Sequence, residues 1–220
     1  MPRLLRYNLA PSLNGLIASL PGYTHSWIVD DATIDFAALF AEFDTFVMGR
    51  RTYETFLSMP AEENLLAGRP RESVVVVSRS VPNPSSEGHG GGDGKTGEEG
   101  GRRRWWEDVT VVSEDVVGYV RKLKEDESKK KDIWLMGGGG LARELLKAGL
   151  VDTVEAAIMP VIVERGVGIF GEEEAWRGLG SGEEHGREGA EESRYWRLTL
   201  ESVERKETGI LMTRYKVLYS

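Results

Sequence analysis

Four consecutive glycines, Gly137 to Gly140, separate a strand-length apolar run, Ile133 to Met136, from a helix-like stretch that begins at Leu141 and extends to Leu150. Glycines at such a junction let a ligand approach the backbone closely, and the unbonded amides and positive dipole end of a helix favour phosphate. The spacing is neither GxGxxG nor GxxxxGK(S/T), so this segment alone predicts an anion near a helix start and nothing finer. A second run, Asp44 to Met48, ends in Gly49 and passes at once into Arg50, Arg51 and Thr52, whose guanidinium and hydroxyl donors suit a phosphate monoester. A third, Val74 to Val77, ends in Ser78 and Arg79. Any one of these arginines, taken singly, reads as a solvated surface charge. Together the three strand ends predict one crevice, because ligands of open α/β sheets bind beyond the carboxyl ends of the strands.

The elements that must hold these ends are legible as short apolar runs at Leu4 to Leu9, Thr45 to Met48, Val74 to Val77, Val109 to Val112, Ile133 to Met136 and Val154 to Val163. Runs of this kind suit strands buried on both faces. Helical patterns alternate with them. Phe36, Leu39, Phe40 and Phe43 share one helical face, as do Val116, Val120 and Leu123 after a Ser113-Glu-Asp cap that sets acids in the first turn, and Leu141, Leu145 and Leu146 before a stop at Gly149. This alternation predicts an α/β fold with crossover connections. Tyr195 to Val203 and Ile210 to Leu218 read instead as a closing antiparallel hairpin, so the sheet is expected to be mixed and mostly parallel. Segments 82–104 and 171–193, rich in Gly, Ser, Pro and charge, read as flexible insertions into a single domain spanning 1–220.

Composition narrows the function. The formal net charge is −8, from 36 acidic and 28 basic side chains, which argues against a nucleic-acid or anionic-membrane partner as a global property. Arg102-Arg-Arg-Trp-Trp106 is a basic-aromatic run, read here as a solvated loop rather than a nucleic-acid contact. The absence of cysteine excludes disulfides, thiolate zinc sites and cysteine nucleophiles, and fits a reducing, cytoplasmic setting. With three histidines, two of them in the insertions, no metal site is expected. No apolar run reaches the length of a membrane span.

Ser12-Leu-Asn-Gly-Leu-Ile-Ala18, Asp44 to Glu54, Val74 to Arg79, Ile133 to Leu150, Pro160 to Phe170 and Gly209 to Tyr215, in that order, resemble the dihydrofolate reductase superfamily. The nearest branch is the one similar to the C-terminal reductase domain of bacterial riboflavin biosynthesis. The resemblance implies a dihydrofolate-reductase-like three-layer fold, with NADPH rather than NADH across the carboxyl edge of its sheet. It would set Gly49, Arg50, Arg51 and Thr52 on the adenosine-ribose and neighbouring phosphates, Ser78 and Arg79 on the adenine side, and Gly137, Gly138, Gly139, Gly140 and Leu141 under the pyrophosphate. Ala10 and Ile17 would approach the nicotinamide.

The implied activity is hydride transfer to a C=N, C=O or conjugated C=C bond of a small heterocycle. The alternatives are a riboflavin-pathway ribosylaminopyrimidine phosphate reductase and a ligand-binding protein that no longer reduces. Many relatives carry aspartate where this chain has Asn14, an amide that cannot ionise. Asp31 and Asp35 lie near the substrate-binding acid of dihydrofolate reductases, and either serves equally as a helix cap. Asn14, Asp31 and Asp35 are therefore the candidates for substrate and proton handling. The expected partner is a small molecule, with a homodimer compatible with the branch.

Overall fold

A computed structural model describes residues 2–20, 24–79, 106–171 and 195–219. Six short strands, β1 (Leu5–Leu9), β3 (Phe43–Gly49), β4 (Val74–Val77), β5 (Thr110–Val112), β6 (Asp132–Gly137) and β7 (Thr153–Ile158), run parallel to one another. β9 (Arg197–Arg205) and β10 (Leu211–Leu218) form the expected antiparallel hairpin, and β10 joins β7 antiparallel. The eight strands lie in the order β5-β4-β3-β6-β1-β7-β10-β9. A separate antiparallel pair joins β2 (Leu16–Ser19) to β8 (Gly166–Gly168). The turn that closes the hairpin has Gly209 at φ +89, a conformation open to glycine at no steric cost.

Helices cover both faces. α3 (Val116–Glu125) and α4 (Gly139–Lys147) pack Val120, Leu141, Leu145 and Leu146 against Leu5, Tyr7, Val47, Ile133 and Leu135. On the other face α1 (Phe36–Ala41) and α2 (Arg50–Leu57) contribute Phe40 and Tyr53 to a layer with Phe43, Phe46, Met48 and Trp134. Each fully buried side chain of this size stabilises the fold by about 1.5–3 kcal/mol, which is what holds short helices of low intrinsic stability in place. The result is the α/β sheet that the alternation of runs predicts, in the three layers that the family resemblance implies.

The differences from the sequence reading have local causes. Phe43 belongs to β3, not to the Phe36 helical face: the α1 helix stops at Ala41 with Glu42 as its C-cap, and Phe36 is left 54% exposed. Asp115 is the N-cap of α3 rather than a first-turn acid, and its carboxylate accepts from the Gly118 amide at 3.0 Å. The run Val154 to Val163 ends as a strand at Ile158, before Pro160, which has no N–H for a ladder. Gly149 (φ +72) does stop α4, its amide bonding Leu146 O at 3.1 Å and the Leu150 amide bonding Leu145 O at 3.0 Å. Of the two expected insertions, 82–104 lies outside the described residues, and so does 171–193 apart from Gly171.

Candidate functional site

The three strand ends named from sequence are neighbours. Met48 is in register with Gly137 and Gly49 with Val77, so β6, β3 and β4 finish side by side along one edge. Two helices start there: α2 with Gly49 as its N-cap and α4 with Gly138, whose φ of +86 is a left-handed conformation. A Cβ placed on Gly138 would lie 3.5 Å from the Gly49 backbone, so the two N-termini begin almost in contact. Neither cap residue makes a side-chain bond, so neither helix start is closed by its own cap. In α4 the first backbone bond runs from the Ala142 amide to Gly138 O at 3.0 Å, so the amides of Gly139, Gly140 and Leu141 precede the ladder.

The four glycines do different things. Gly137, at φ +152, faces Thr52, whose Oγ1 would sit 3.1 Å from an added Cβ. Gly139 is required by the chain itself: its Cβ would fall 2.2 Å from Gly171 N and 2.7 Å from Gly168 O. The segment after β8 therefore crosses directly over the start of α4. Among the described residues nothing lies within 4 Å of a Cβ added to Gly140. It is the glycine most exposed to an incoming ligand.

Arg50 pairs with Glu54 at 2.7 Å across one helical turn, with both side chains about four-tenths exposed. Such a pair adds little to stability and exchanges readily for a stronger anion. Ser78 is buried, and its amide bonds Val112 O at 3.0 Å. Arg79 lines a cavity of about 270 Å³ with Val77, Ser113, Asp115, Val116 and Glu144, at the ends of β4 and β5. A larger hollow of about 800 Å³ opens at the opposite, amino ends of β1 and β6, where Arg3 and Lys124 are held by Asp44 and Asp152. It shares nothing with the carboxyl-edge crevice.

On the far side of the crevice the candidate proton-handling groups are all engaged in the fold. Asn14 Oδ1 accepts from the Ser12 hydroxyl at 2.9 Å and the Val163 amide at 3.1 Å, while its Nδ2 donates to Val163 O at 2.8 Å. This reciprocal pairing with one residue's backbone needs a donor and an acceptor together, so an amide fits where an ionised carboxylate would not. It fastens the turn before Ile17 to residues 161–163. Asp31 accepts from the Thr33 amide and hydroxyl at 2.9 and 2.6 Å and from the Thr208 hydroxyl at 2.6 Å. The bond from Thr208, then those from Thr33, lower its pKa to about 2. Such a group carries no proton near neutrality. Asp35 caps α1, accepting from the Ala38 amide at 2.8 Å. Beside Ile17, whose carbonyl it contacts, stands His25, with its pKa lowered chiefly by burial.

One cluster was not foreseen from sequence. Arg6 and Glu155, 4% and 7% exposed, form a two-pronged ion pair with Nε–Oε1 and Nη2–Oε2 distances of 2.7 Å. Thr153 Oγ1 and Asn8 Nδ2 also donate to Glu155, at 2.9 and 3.2 Å. Burial opposes the Glu155 charge, but the Arg6, Thr153 and Arg214 interactions outweigh it and hold the pKa below its ordinary value. The only sequence signal was the placement of Arg6 and Asn8 two residues apart, on one face of an otherwise apolar strand.

Fold and edge together define a dihydrofolate-reductase-like α/β protein with a crevice at the carboxyl ends of β3, β4 and β6. The chain belongs to the RibD C-terminal domain family, whose model matches residues 3–212. The uncharacterised protein YyaP of Bacillus subtilis is 24% identical over 169 residues, covering 76% of this chain and 80% of YyaP. A putative riboflavin biosynthesis protein from Shewanella sp. PV-4 superposes with a TM-score of 0.64 at 21% identity, covering both chains fully. Dihydrofolate reductase from Enterococcus faecalis, in complex with NADP(H), superposes with a TM-score of 0.50 at 16% identity over 97% of this chain and 94% of that one. Among the described residues no helix is long and apolar enough to cross a membrane.

Proposed function

We propose that the chain is an NADPH-dependent reductase acting on a C=N, C=O or conjugated C=C bond of a small heterocycle. The observation that carries this reading is the pair of helix N-termini at Gly49 and Gly138, set side by side on adjacent strands with Arg50, Arg51 and Thr52 at one of them. Amides and guanidiniums concentrated there fit the phosphates of a dinucleotide. Gly137 to Leu141 would hold the pyrophosphate, Arg50, Arg51 and Thr52 the adenosine-ribose phosphates, and the cavity beside Arg79 the adenine end. Ala10 and Ile17 would border the nicotinamide.

The cofactor, when bound, supplies the hydride. The chain's residues bind, orient and exclude water. With Asp31, Asp35 and Asn14 committed to structural bonds, the proton that completes the reduction comes from solvent. NADPH should bind saturably, and Arg50→Ala with Arg51→Ala should weaken it; a chain with no NADPH affinity is not this enzyme. Family membership favours one narrower reading, reduction of a ribosylaminopyrimidine phosphate, and rescue of a riboflavin auxotroph lacking its own reductase is the experiment that selects it. NADPH binding without turnover on imines, enones and pterins would favour a ligand-binding protein instead.

A further inference from the structure

Asn14 stands immediately before Gly15, and of the four asparagines in the chain it is the only one followed by glycine. Asparagine at such a step is chemically labile. Once base has taken its proton, the backbone nitrogen of the next residue attacks Cγ. The new C–N bond closes a cyclic imide, and the Cγ–Nδ2 bond breaks to release ammonia. Water then opens the imide at either carbonyl and leaves an aspartyl or an isoaspartyl residue. A following glycine, with no Cβ, leaves the attacking nitrogen unhindered and the backbone free to reach the geometry of attack.

Asn14 is exposed, so water and base reach it and burial does not protect it. What the fold withholds is the two reacting groups. The nucleophile is tied, because the Gly15 amide donates to Ser12 O at 2.9 Å. The electrophile is tied as well: Nδ2 donates to Val163 O at 2.8 Å, while Oδ1 accepts from the Val163 amide at 3.1 Å and from the Ser12 hydroxyl at 2.9 Å. The flanking peptides are pinned by the Leu13 amide on Val161 O at 2.8 Å, the Leu16 amide on Ser12 Oγ at 3.0 Å and the Ile169 amide on Gly15 O at 3.0 Å. Swinging the carboxamide onto the Gly15 nitrogen breaks its bonds to Val163 and Ser12. The reaction therefore passes through a state in which turn 12–16 has parted from residues 161–169.

We infer that the Asn14-Gly15 step is a self-modifying site, held shut by residues 161–169, at which local opening converts the amide into an acid with water as the only reactant consumed. The conversion runs one way. An ionised carboxylate has no donor for Val163 O, and an isoaspartyl link adds a carbon to the main chain, so neither product rebuilds the clamp before Ile17. The inference is independent of what the crevice binds.

The test follows deamidation of the full wild-type chain at mildly alkaline pH by peptide-mapping mass spectrometry, in buffer and in denaturing guanidinium chloride. Hydrogen exchange of the Val163 amide is measured in the same buffer. The unfolded chain should convert at position 14 ahead of Asn8, Asn64 and Asn83, and the folded chain should convert there about tenfold or more slowly. Both reactions need the same opening, so the slowing should match the exchange protection of the Val163 amide to within about threefold. Ser12→Ala, which removes the hydroxyl donor to Oδ1, should speed conversion several-fold in a chain that circular dichroism shows to be folded. The converted fraction, separated by anion exchange, should melt below the amide form. Equal rates with and without denaturant, no preference for position 14 in the unfolded chain, a folded Ser12→Ala chain no faster than wild type, or a converted chain as stable as the amide form overturns the inference. If Ser12→Ala does not fold, the wild-type comparison decides alone, and a slowing unrelated to the protection of the Val163 amide overturns it.

Discussion

The two sides of the carboxyl edge are built on opposite terms. Around β3, β4 and β6 the helix starts at Gly49 and Gly138 carry no side-chain cap, Gly140 has no described atom within 4 Å of an added Cβ, and Arg50 and Glu54 form an exposed pair. Around β1, β2 and the 24–35 segment the candidate polar side chains are fastened to the fold, Asn14 to Val163, Asp31 to Thr208, Asp35 to Ala38 and Asn8 to Glu155. On the proposed reading the first side would take a polyanion, which brings its own charge and needs donors, and the second would orient a neutral molecule by shape and a few fixed groups. A reductase that draws its chemistry from a cofactor needs this division, because the cofactor carries the reactive atom and the protein must hold two molecules against each other.

The contrast can be broken most severely at Gly139, where the sides meet. Gly139→Ala would force a Cβ to within 2.2 Å of the Gly171 amide nitrogen, backbone against backbone. It should cost about 3 kcal/mol or more of stability, read by urea unfolding. Gly140→Ala, with nothing near its Cβ, should leave stability within about 0.5 kcal/mol of wild type yet weaken NADPH. Indifference of the cofactor to Gly140→Ala would remove the α4 start from the site.

Replacing Arg50 and Arg51 together by alanine should lower NADPH affinity by about 10- to 100-fold, as expected for lost hydrogen bonds to a charged phosphate, with little change in stability. On the fastened side, Asn14→Asp should do the reverse. It should lower stability by about 1–3 kcal/mol near neutrality, because a carboxylate cannot donate to Val163 O, while NADPH affinity is nearly preserved. That deficit should shrink in acid, where the new carboxyl regains a proton to donate.

The smallest effect concerns Asp31. Its folded pKa of about 2 lies below the ordinary 3.8, so its contact with Thr208 is fully present above the ordinary value and is lost as pH falls toward 2. Thr208→Val should raise the Asp31 titration midpoint toward 3.8, followed by carboxyl-carbon NMR, and should leave reductase activity at neutral pH unchanged. A fall in activity with a preserved fold would return Asp31 to the catalytic candidates.

Sequence legibility follows the same division. Arg50, Arg51 and Thr52 after Gly49, and Gly137 to Gly140 before α4, are local patterns whose meaning depends only on a strand turning into a helix. The sequence did not separate Gly139, held by a segment some thirty residues on, from Gly140, which no contact among the described residues requires to be glycine. Phe43 satisfied a helical period while opening a strand, since a run of apolar residues at a junction fits both. The partners of Asn14, Asp31 and Arg6 lie 149, 177 and 149 positions away. At such separations an Asp near a helix start and an Asp bonded across the molecule look alike, which is why the proton-handling candidates were set on groups that the fold already uses.

The proposed NADPH crevice is tested by one titration, of NADPH and NADH into the full chain and into the Arg50→Ala/Arg51→Ala variant in a calorimeter. The wild-type chain should bind NADPH saturably and more tightly than NADH, with the preference lost in the variant. NADPH affinity that is absent, or that is untouched by removing both arginines, contradicts that reading.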